Sequence, residues 1–135
     1  MRRYLLDTNI VSYFIKGHHP KLIKRMQLEL EEQSCVISSV VRAEVRYGQA
    51  LMTGNDKRRQ PINLLLNDLP TLSWDIAAAD HYGQLMAELK RRGTPIGHMD
   101  TMIAAHALAT GLTVITHNLE DFKRVSNLKL EDWTS

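Results

Sequence analysis

The 135-residue sequence lacks the features that mark several specialised classes of protein. A single cysteine, Cys35, excludes an internal disulfide and a cysteine-based zinc site. No segment approaches the roughly 18 consecutive apolar residues that a membrane-spanning helix needs, so no membrane partner is expected. The acidic Asp7 comes too early for a signal peptide. A chain without disulfides suits a reducing compartment, and the cytoplasm is the expected location.

The sequence also has little excess charge and no repeat. Its formal net charge of +2 is compatible with nucleic-acid binding but does not imply it. Hydrophobic residues make up 44% and charged residues 24% of the chain, as in an ordinary globular protein. The length predicts a single domain over residues 1–135 with one hydrophobic core.

Segments typical of strands and helices alternate along the chain. The spacing of apolar residues predicts short strands over 4–6, 35–37, 72–74, 112–116 and 128–130, and helices over 10–15, 20–32, 40–48, 57–67, 76–92 and 99–110. This alternation predicts an α/β fold of three layers, α/β/α, whose central parallel sheet has about five strands.

Polar residues follow two of the predicted strands. Asp7 comes directly after the first strand, with Thr8 and Asn9 behind it, and Asn118 lies just past the strand that ends at Thr116. In open parallel sheets, binding sites form beyond the carboxyl ends of the strands. The same residue types also cap helices, and capping is an equal interpretation of Asp7 taken alone.

Glu44 stands beside the apolar face of its predicted helix. A glutamate there is costly to bury unless it is paired or bound to a metal. The structural alternative is a position at the flank of the helix with the carboxylate reaching water, where Arg42 or Arg46 could pair with it. If RNA is the ligand, these two arginines are also candidates to contact it, because phosphate neutralisation supplies much of the affinity for nucleic acids.

Two further acids lie beside predicted elements, one at the start of a helix and one after a strand. Asp100 opens an alanine-rich helix, where the helix dipole favours a negative charge. Asp121 follows the strand at 112–116, in a segment that a turn and a cap would also explain. His98, two residues before Asp100, is a candidate substrate contact or a solvated loop side chain.

Oxygen ligands without paired cysteines or histidines suit Mg²⁺ or Mn²⁺ better than zinc. Crowded carboxylates raise one another's pKa values unless a cation lies among them. A divalent ion can activate water and stabilise phosphoryl oxygens during an in-line displacement. The acids therefore suit a Mg²⁺ or Mn²⁺ site if the fold brings them together.

Taken together, these segments resemble a PIN domain, and more closely the VapC toxins of bacterial toxin–antitoxin pairs. The resemblance runs from about residue 2 to Trp133. It is carried by Leu6-Asp7-Thr8-Asn9, Ser38-Ser39 with Glu44 and Tyr47-Gly48, Asp100 with its alanine-rich helix, and Thr116-x-Asn118-x-x-Asp121-Phe122. The segments at 93–97 and 131–133 resemble the subgroup that cleaves initiator tRNA in its anticodon loop.

This resemblance implies a toxin endoribonuclease that hydrolyses RNA, with tRNA as its target, and thereby inhibits translation. It implies Mg²⁺ as the metal, for which Mn²⁺ can substitute. It implies a homodimer and a VapB-like antitoxin, bound in a heterotetramer or hetero-octamer. Asp7, Glu44, Asp100 and Asp121 would be catalytic, with Asp7 and Asp100 holding the metal. Thr8, Asn9, Thr116 and Asn118 would support the metal or substrate. The family often has Asp where this chain has Asn118, which leaves the number of ions open.

Two other functions compete with this one. An aspartyl-phosphate phosphatase would use Asp7 as its nucleophile, but such enzymes usually have a second acid two residues on, where this chain has Asn9. A non-catalytic dimer would bind a partner through its basic faces, and its acids would only cap helices.

Overall fold

The computed structural model describes residues Met1 to Ser135 and contains five strands and seven helices. The strands are β1 (Tyr4–Leu6), β2 (Cys35–Ser38), β3 (Thr71–Leu72), β4 (Thr113–Ile115) and β5 (Leu130–Glu131). The helices are α1 (Thr8–Lys16), α2 (Pro20–Glu31), α3 (Ser39–Ala50), α4 (Arg59–Asp68), α5 (Ile76–Arg91), α6 (His98–Thr110) and α7 (Leu119–Phe122).

All five strands pair in parallel in one sheet with the order β3-β2-β1-β4-β5. At its centre, Leu5 pairs with Val36 on one side and with Val114 on the other. Helices lie on both sides of the sheet, which confirms the predicted three-layer α/β/α fold. The strand order reverses between β1 and β4, and this reversal opens a crevice at the carboxyl edge of the sheet.

The central strands are apolar on both faces because both faces are covered. Leu5 and Leu6 of β1 and Ile115 of β4 are inaccessible to solvent. They belong to a cluster of 28 buried hydrophobic residues that also includes Cys35. Burying a side chain of this size contributes about 1.5–3 kcal/mol, so the sheet centre is a rigid base for the residues that follow it.

Side chains at strand ends start the helices. The Asp7 carboxylate, rather than Thr8 or Asn9, caps α1 by accepting a hydrogen bond from the Ile10 backbone N–H at 2.9 Å. Ser38 and Asp75 cap α3 and α5 in the same way. Residues that leave the sheet at its carboxyl edge are thus held in fixed orientations.

The short elements differ most from the prediction. The strand predicted over 72–74 is Thr71–Leu72, and the one predicted over 128–130 is Leu130–Glu131. Helix α7 was not predicted, because its four residues also suit a turn. No helix is long and apolar enough to cross a membrane.

Candidate functional site

The candidate site lies at the crevice beyond β1 and β4. The Asp7 backbone N–H donates to the Ile115 carbonyl at 3.1 Å, so the pairing of the two strands continues one residue past β1. Asp7 and Thr116 therefore leave the sheet side by side. Both are buried, with exposed fractions of 3% and 0%.

Asp7 is an acid in an environment that disfavours its charge. Burial, with added repulsion from Asp100 and Glu44, raises its pKa from the usual 3.8 to about 6. Hydrogen bonds with the Thr116 side chain and the Ile10 backbone N–H oppose this shift but do not cancel it. The repulsion shows that carboxylates from β1, α3 and α6 converge on one region.

Glu44 faces this region from α3. It is half-buried, and its carboxylate accepts a short hydrogen bond from the Thr8 hydroxyl. Neither Arg42 nor Arg46 pairs with it, so the ion pair suggested by the sequence is absent, whereas the position at the flank of the helix agrees with the partial exposure of Glu44. Thr8 therefore orients an acid that carries no compensating cation.

The two arginines join α3 to neighbouring elements instead. Arg42 donates to the Leu66 carbonyl at 3.2 Å and to the Thr71 hydroxyl at 3.1 Å. Arg46 donates to the side-chain oxygens of Gln49 and Asn63 at 2.7 and 2.6 Å. These contacts are structural, and they weaken the prediction that Arg42 and Arg46 contact RNA.

Asp100, Asn118 and Asp121 form the other wall of the site. Burial, and then repulsion from Asp121 and Glu44, raises the pKa of Asp100, whereas a hydrogen bond with Asn118 lowers it. The Asn118 amide also donates to Asp121 at 3.0 Å, and its backbone N–H donates to the Thr116 hydroxyl at 2.9 Å. Asn118 thus serves as a donor between two acids.

The remaining predicted residues lie at the margin. His98 is exposed in the first turn of α6, and its Nδ1 lies 3.0 Å from the Tyr82 hydroxyl. Asn9 is exposed in the first turn of α1 and has no side-chain hydrogen bond. The structure therefore groups Asp7, Glu44, Asp100, Asn118 and Asp121 with Thr8 and Thr116, and leaves Asn9 outside.

The donors in this group suit a hard divalent cation. They are carboxylate, amide and hydroxyl oxygens, and two of the acids, Asp7 and Asp100, have raised pKa values that a nearby cation would lower. As the side chains stand, no three His, Cys, Asp or Glu residues are close enough to hold a metal ion. A bound cation would draw the carboxylates closer together.

The structure also reveals a group of aromatic rings that the sequence did not single out. Tyr13, His18 and His19 lie close to one another, and His117 completes the group. Only the tertiary structure brings His19 and His117 together, because the two residues lie far apart along the chain.

The fold is that of a PIN domain, and the PIN domain family model matches residues 4–128. A tRNA(fMet)-specific endonuclease VapC of Shigella flexneri is 37% identical over 134 residues, which cover 99% of this chain and 100% of the relative. The Ribonuclease VapC2 of Rickettsia felis is 35% identical, over 96% of this chain and 97% of the relative.

A solved structure agrees with these relatives. The crystal structure of DNA-bound VapBC from Salmonella typhimurium superimposes with a TM-score of 0.90 at 36% identity, covering 98% of this chain and 99% of that one. The chain therefore belongs to the VapC ribonucleases of the PIN-domain family. Nucleases with this domain generally depend on divalent metal ions.

Proposed function

We propose that this protein is an endoribonuclease that hydrolyses RNA phosphodiester bonds at the site formed by Asp7, Glu44, Asp100 and Asp121, with Mg²⁺ as its metal and Mn²⁺ as a substitute. One observation carries the proposal. Acids from four separate elements share a partly buried crevice in which they repel one another. Such an arrangement destabilises the fold and is typical of a site that binds a cation.

Asp7 and Asp100 would hold the ion, with Glu44 and Asp121 as supporting acids. When bound, a divalent ion supplies positive charge to the phosphate oxygens and increases the acidity of a water molecule. Asp7 is the best placed of the four, because the helix cap and the Thr116 side chain fix its orientation. We leave the number of ions open, since Asn118 uses its amide as a donor.

The other acids would position water and substrate. The Thr8 hydroxyl holds one Glu44 oxygen, which leaves the second free to accept a proton or a hydrogen bond. Asn118 donates to one oxygen of Asp121, and the other oxygen lies 3.7 Å from the Arg124 guanidinium. Thr116 accepts from the Asn118 backbone and contacts Asp7, so it links the two walls of the site.

The substrate we propose is initiator tRNA, cut in its anticodon loop, with inhibition of translation as the consequence. The support is the Shigella flexneri relative, which is a tRNA(fMet)-specific endonuclease. We further propose a cytoplasmic, single-domain protein over 1–135 that forms a homodimer. As its partner we propose a VapB-like antitoxin, for which the VapBC structure from Salmonella typhimurium is the support, and we propose a heterotetramer or hetero-octamer as their complex.

A cleavage assay tests the activity. Purified protein is incubated with initiator tRNA, elongator tRNAs and an unrelated RNA, in Mg²⁺, in Mn²⁺ and in excess chelator, and the 5′ ends of the products are sequenced. We expect one major cut in initiator tRNA that depends on the metal. Cleavage that persists in chelator would contradict the proposed metal, and uniform cutting of every RNA would contradict the proposed target.

The same preparation separates the two competing functions. A phosphatase of the aspartyl-phosphate type would be trapped by a phosphoryl analogue on Asp7, and the protein would then cut no RNA. A non-catalytic protein would take up no Mn²⁺ in a calorimetric titration. We expect Mn²⁺ uptake and no trapped adduct.

A further inference from the structure

Three aromatic rings from two distant parts of the chain meet beside the carboxylates. The Tyr13 ring lies 4.9 Å from that of His19 and 6.1 Å from that of His117, centroid to centroid. The two imidazole rings are 5.5 Å apart. We call Tyr13, His19 and His117 the ring cluster. Its rings are tilted by 43° to 76° to one another, so they form an open arrangement rather than a closed stack.

The backbone and two hydrogen bonds hold the imidazoles in place. His19 has a φ of +63°, a conformation that residues other than glycine rarely adopt. His117 Nδ1 lies 3.1 Å from the Asp132 carboxylate and 2.8 Å from the Thr134 hydroxyl. Conformations of this kind persist where the surrounding structure enforces them, and they are frequent at functional sites.

The ring cluster adjoins the acidic site directly. His117 lies between Thr116, which contacts Asp7, and Asn118, which binds Asp121. Tyr13 is on α1, the helix that Asp7 caps, and six residues of helix place it about 9 Å along the axis. RNA with a phosphate at the carboxylates therefore has a neighbouring nucleotide within reach of the rings.

The ring cluster lies at the edge of the hydrophobic core, against which Tyr13 packs, and it is open to solvent on its other side. The His117 side chain is 50% exposed, and Tyr13 and His19 are only partly buried. The crevice beside it carries negative charge, which repels the phosphates of RNA. Binding energy from an uncharged group would offset that repulsion, and every base has an apolar face that can stack on an aromatic ring.

We infer that the ring cluster is the surface on which one base of the substrate RNA stacks, adjacent to the bond that is cut. Tyr13 and His19 supply ring area, and His117 supplies a ring whose orientation Asp132 and Thr134 fix. The rings position the substrate and take no part in proton transfer. The inference rests on the proposed function, because it concerns how that same site holds RNA.

A double-mutant cycle between protein and RNA tests the inference. Binding is measured in an Asp7→Asn background with Mg²⁺, so that the RNA stays intact, using hairpins that each lack one base at successive positions around the cut. Tyr13→Leu should weaken binding of the complete RNA by about 5- to 100-fold. Removing the stacked base should weaken binding by a similar factor. The two changes together should weaken binding little more than either change alone.

Matched variants complete the experiment. Tyr13→Phe keeps the ring and should bind RNA as the parent does. Tyr47→Leu is the matched control, because it makes the same change at a tyrosine of α3 that is 68% exposed and lies outside the ring cluster. In the active protein, His117→Ala should raise KM by about 5-fold or more and leave kcat nearly unchanged. His117 is exposed, so this variant also guards against misfolding of the Tyr13 variant.

The outcomes separate the inference from the proposed function. If the wild type cleaves RNA but no base position couples to Tyr13 and His117→Ala leaves KM unchanged, the stacking inference is wrong and the proposed function stands. If the wild type cleaves no RNA in Mg²⁺ or Mn²⁺, the proposed function is wrong and the inference falls with it. Coupling at a single base position supports both.

Discussion

At the scale of single residues, Asp7 combines a structural and a chemical role. One carboxylate oxygen caps α1, and the charge of the same group is disfavoured by burial and by two neighbouring acids. Capping requires only an acceptor oxygen, whereas holding a cation requires the charge. A substitution that keeps the oxygen and removes the charge therefore separates the two roles.

Asp7→Asn should abolish RNA cleavage and leave the fold intact. The new amide oxygen can still accept the Ile10 N–H, but it is a neutral and weaker metal ligand. Asp75→Asn is the matched control, because Asp75 caps α5 with the same geometry, accepting from Ala78 N–H, and lies outside the site. Full cleavage by a folded Asp7→Asn protein would remove Asp7 from the mechanism.

Asn118→Asp should lower the stability of the metal-free protein and increase its affinity for a divalent metal ion. It replaces the donor between Asp100 and Asp121 with a third acid, so we expect a melting temperature a few degrees lower without metal. Mn²⁺ should bind more tightly to the variant, as measured by calorimetry. Asn118→Ala, which removes the donor without adding charge, should lower stability and should not strengthen binding. Equal Mn²⁺ affinity in all three proteins would exclude residue 118 from the metal site.

At the scale of elements, α3 brings Glu44 to the site while its other polar side chains fasten it to α4. Arg46 donates to Gln49 and Asn63, and Gln49 in turn donates to the Arg59 carbonyl at 3.0 Å. A helix that positions an acid among other acids has to be anchored elsewhere, and this network supplies one anchor.

Arg46→Met should therefore act on stability and not on RNA binding. The loss of charge-assisted hydrogen bonds to Gln49 and Asn63 should lower the free energy of unfolding by about 1–3 kcal/mol, as measured by urea denaturation. KM for RNA should match that of Lys90→Met, which removes one exposed positive charge at the end of α5. A large rise in KM without loss of stability would restore Arg46 as a substrate contact.

At the scale of the whole molecule, the acidic site makes stability depend on pH and on cations. The pKa of Asp7 in the folded protein, about 6, lies above its usual value of 3.8. The folded state therefore binds this proton more tightly than the unfolded state does. The resulting stabilisation is complete below about pH 4 and is lost as the pH rises through 6.

Comparison of the wild type with Asp7→Asn isolates this effect from other titrating groups. The two proteins should melt at similar temperatures near pH 4, and by pH 7 the variant should be more stable by up to about 3 kcal/mol. Adding Mg²⁺ or Mn²⁺ at pH 7 should stabilise the wild type and close the gap. The difference in stability between the two proteins is followed by thermal melts from pH 4 to 8. A difference that does not change with pH would contradict the raised pKa of Asp7.

Local patterns in the sequence determined most of the secondary structure of this protein, its family and part of its site. Apolar runs placed β1, β2 and β4 and most helix bounds, because burial on both faces of a parallel sheet leaves a strong local pattern. The family membership also followed from local segments around Asp7, Glu44, Asp100 and Asp121. The positions of Asp7 and Thr116 at one edge followed from their places directly after strands.

The tertiary structure alone decided which side chains touch. Arg42 and Arg46 flank Glu44 in sequence, yet they bond to α4 and β3, because helical geometry turns them away from the crevice. His19 and His117 meet only because the chain reverses strand order between β1 and β4. Contacts between residues about a hundred positions apart depend on how elements pack, and no local pattern of residues records that packing.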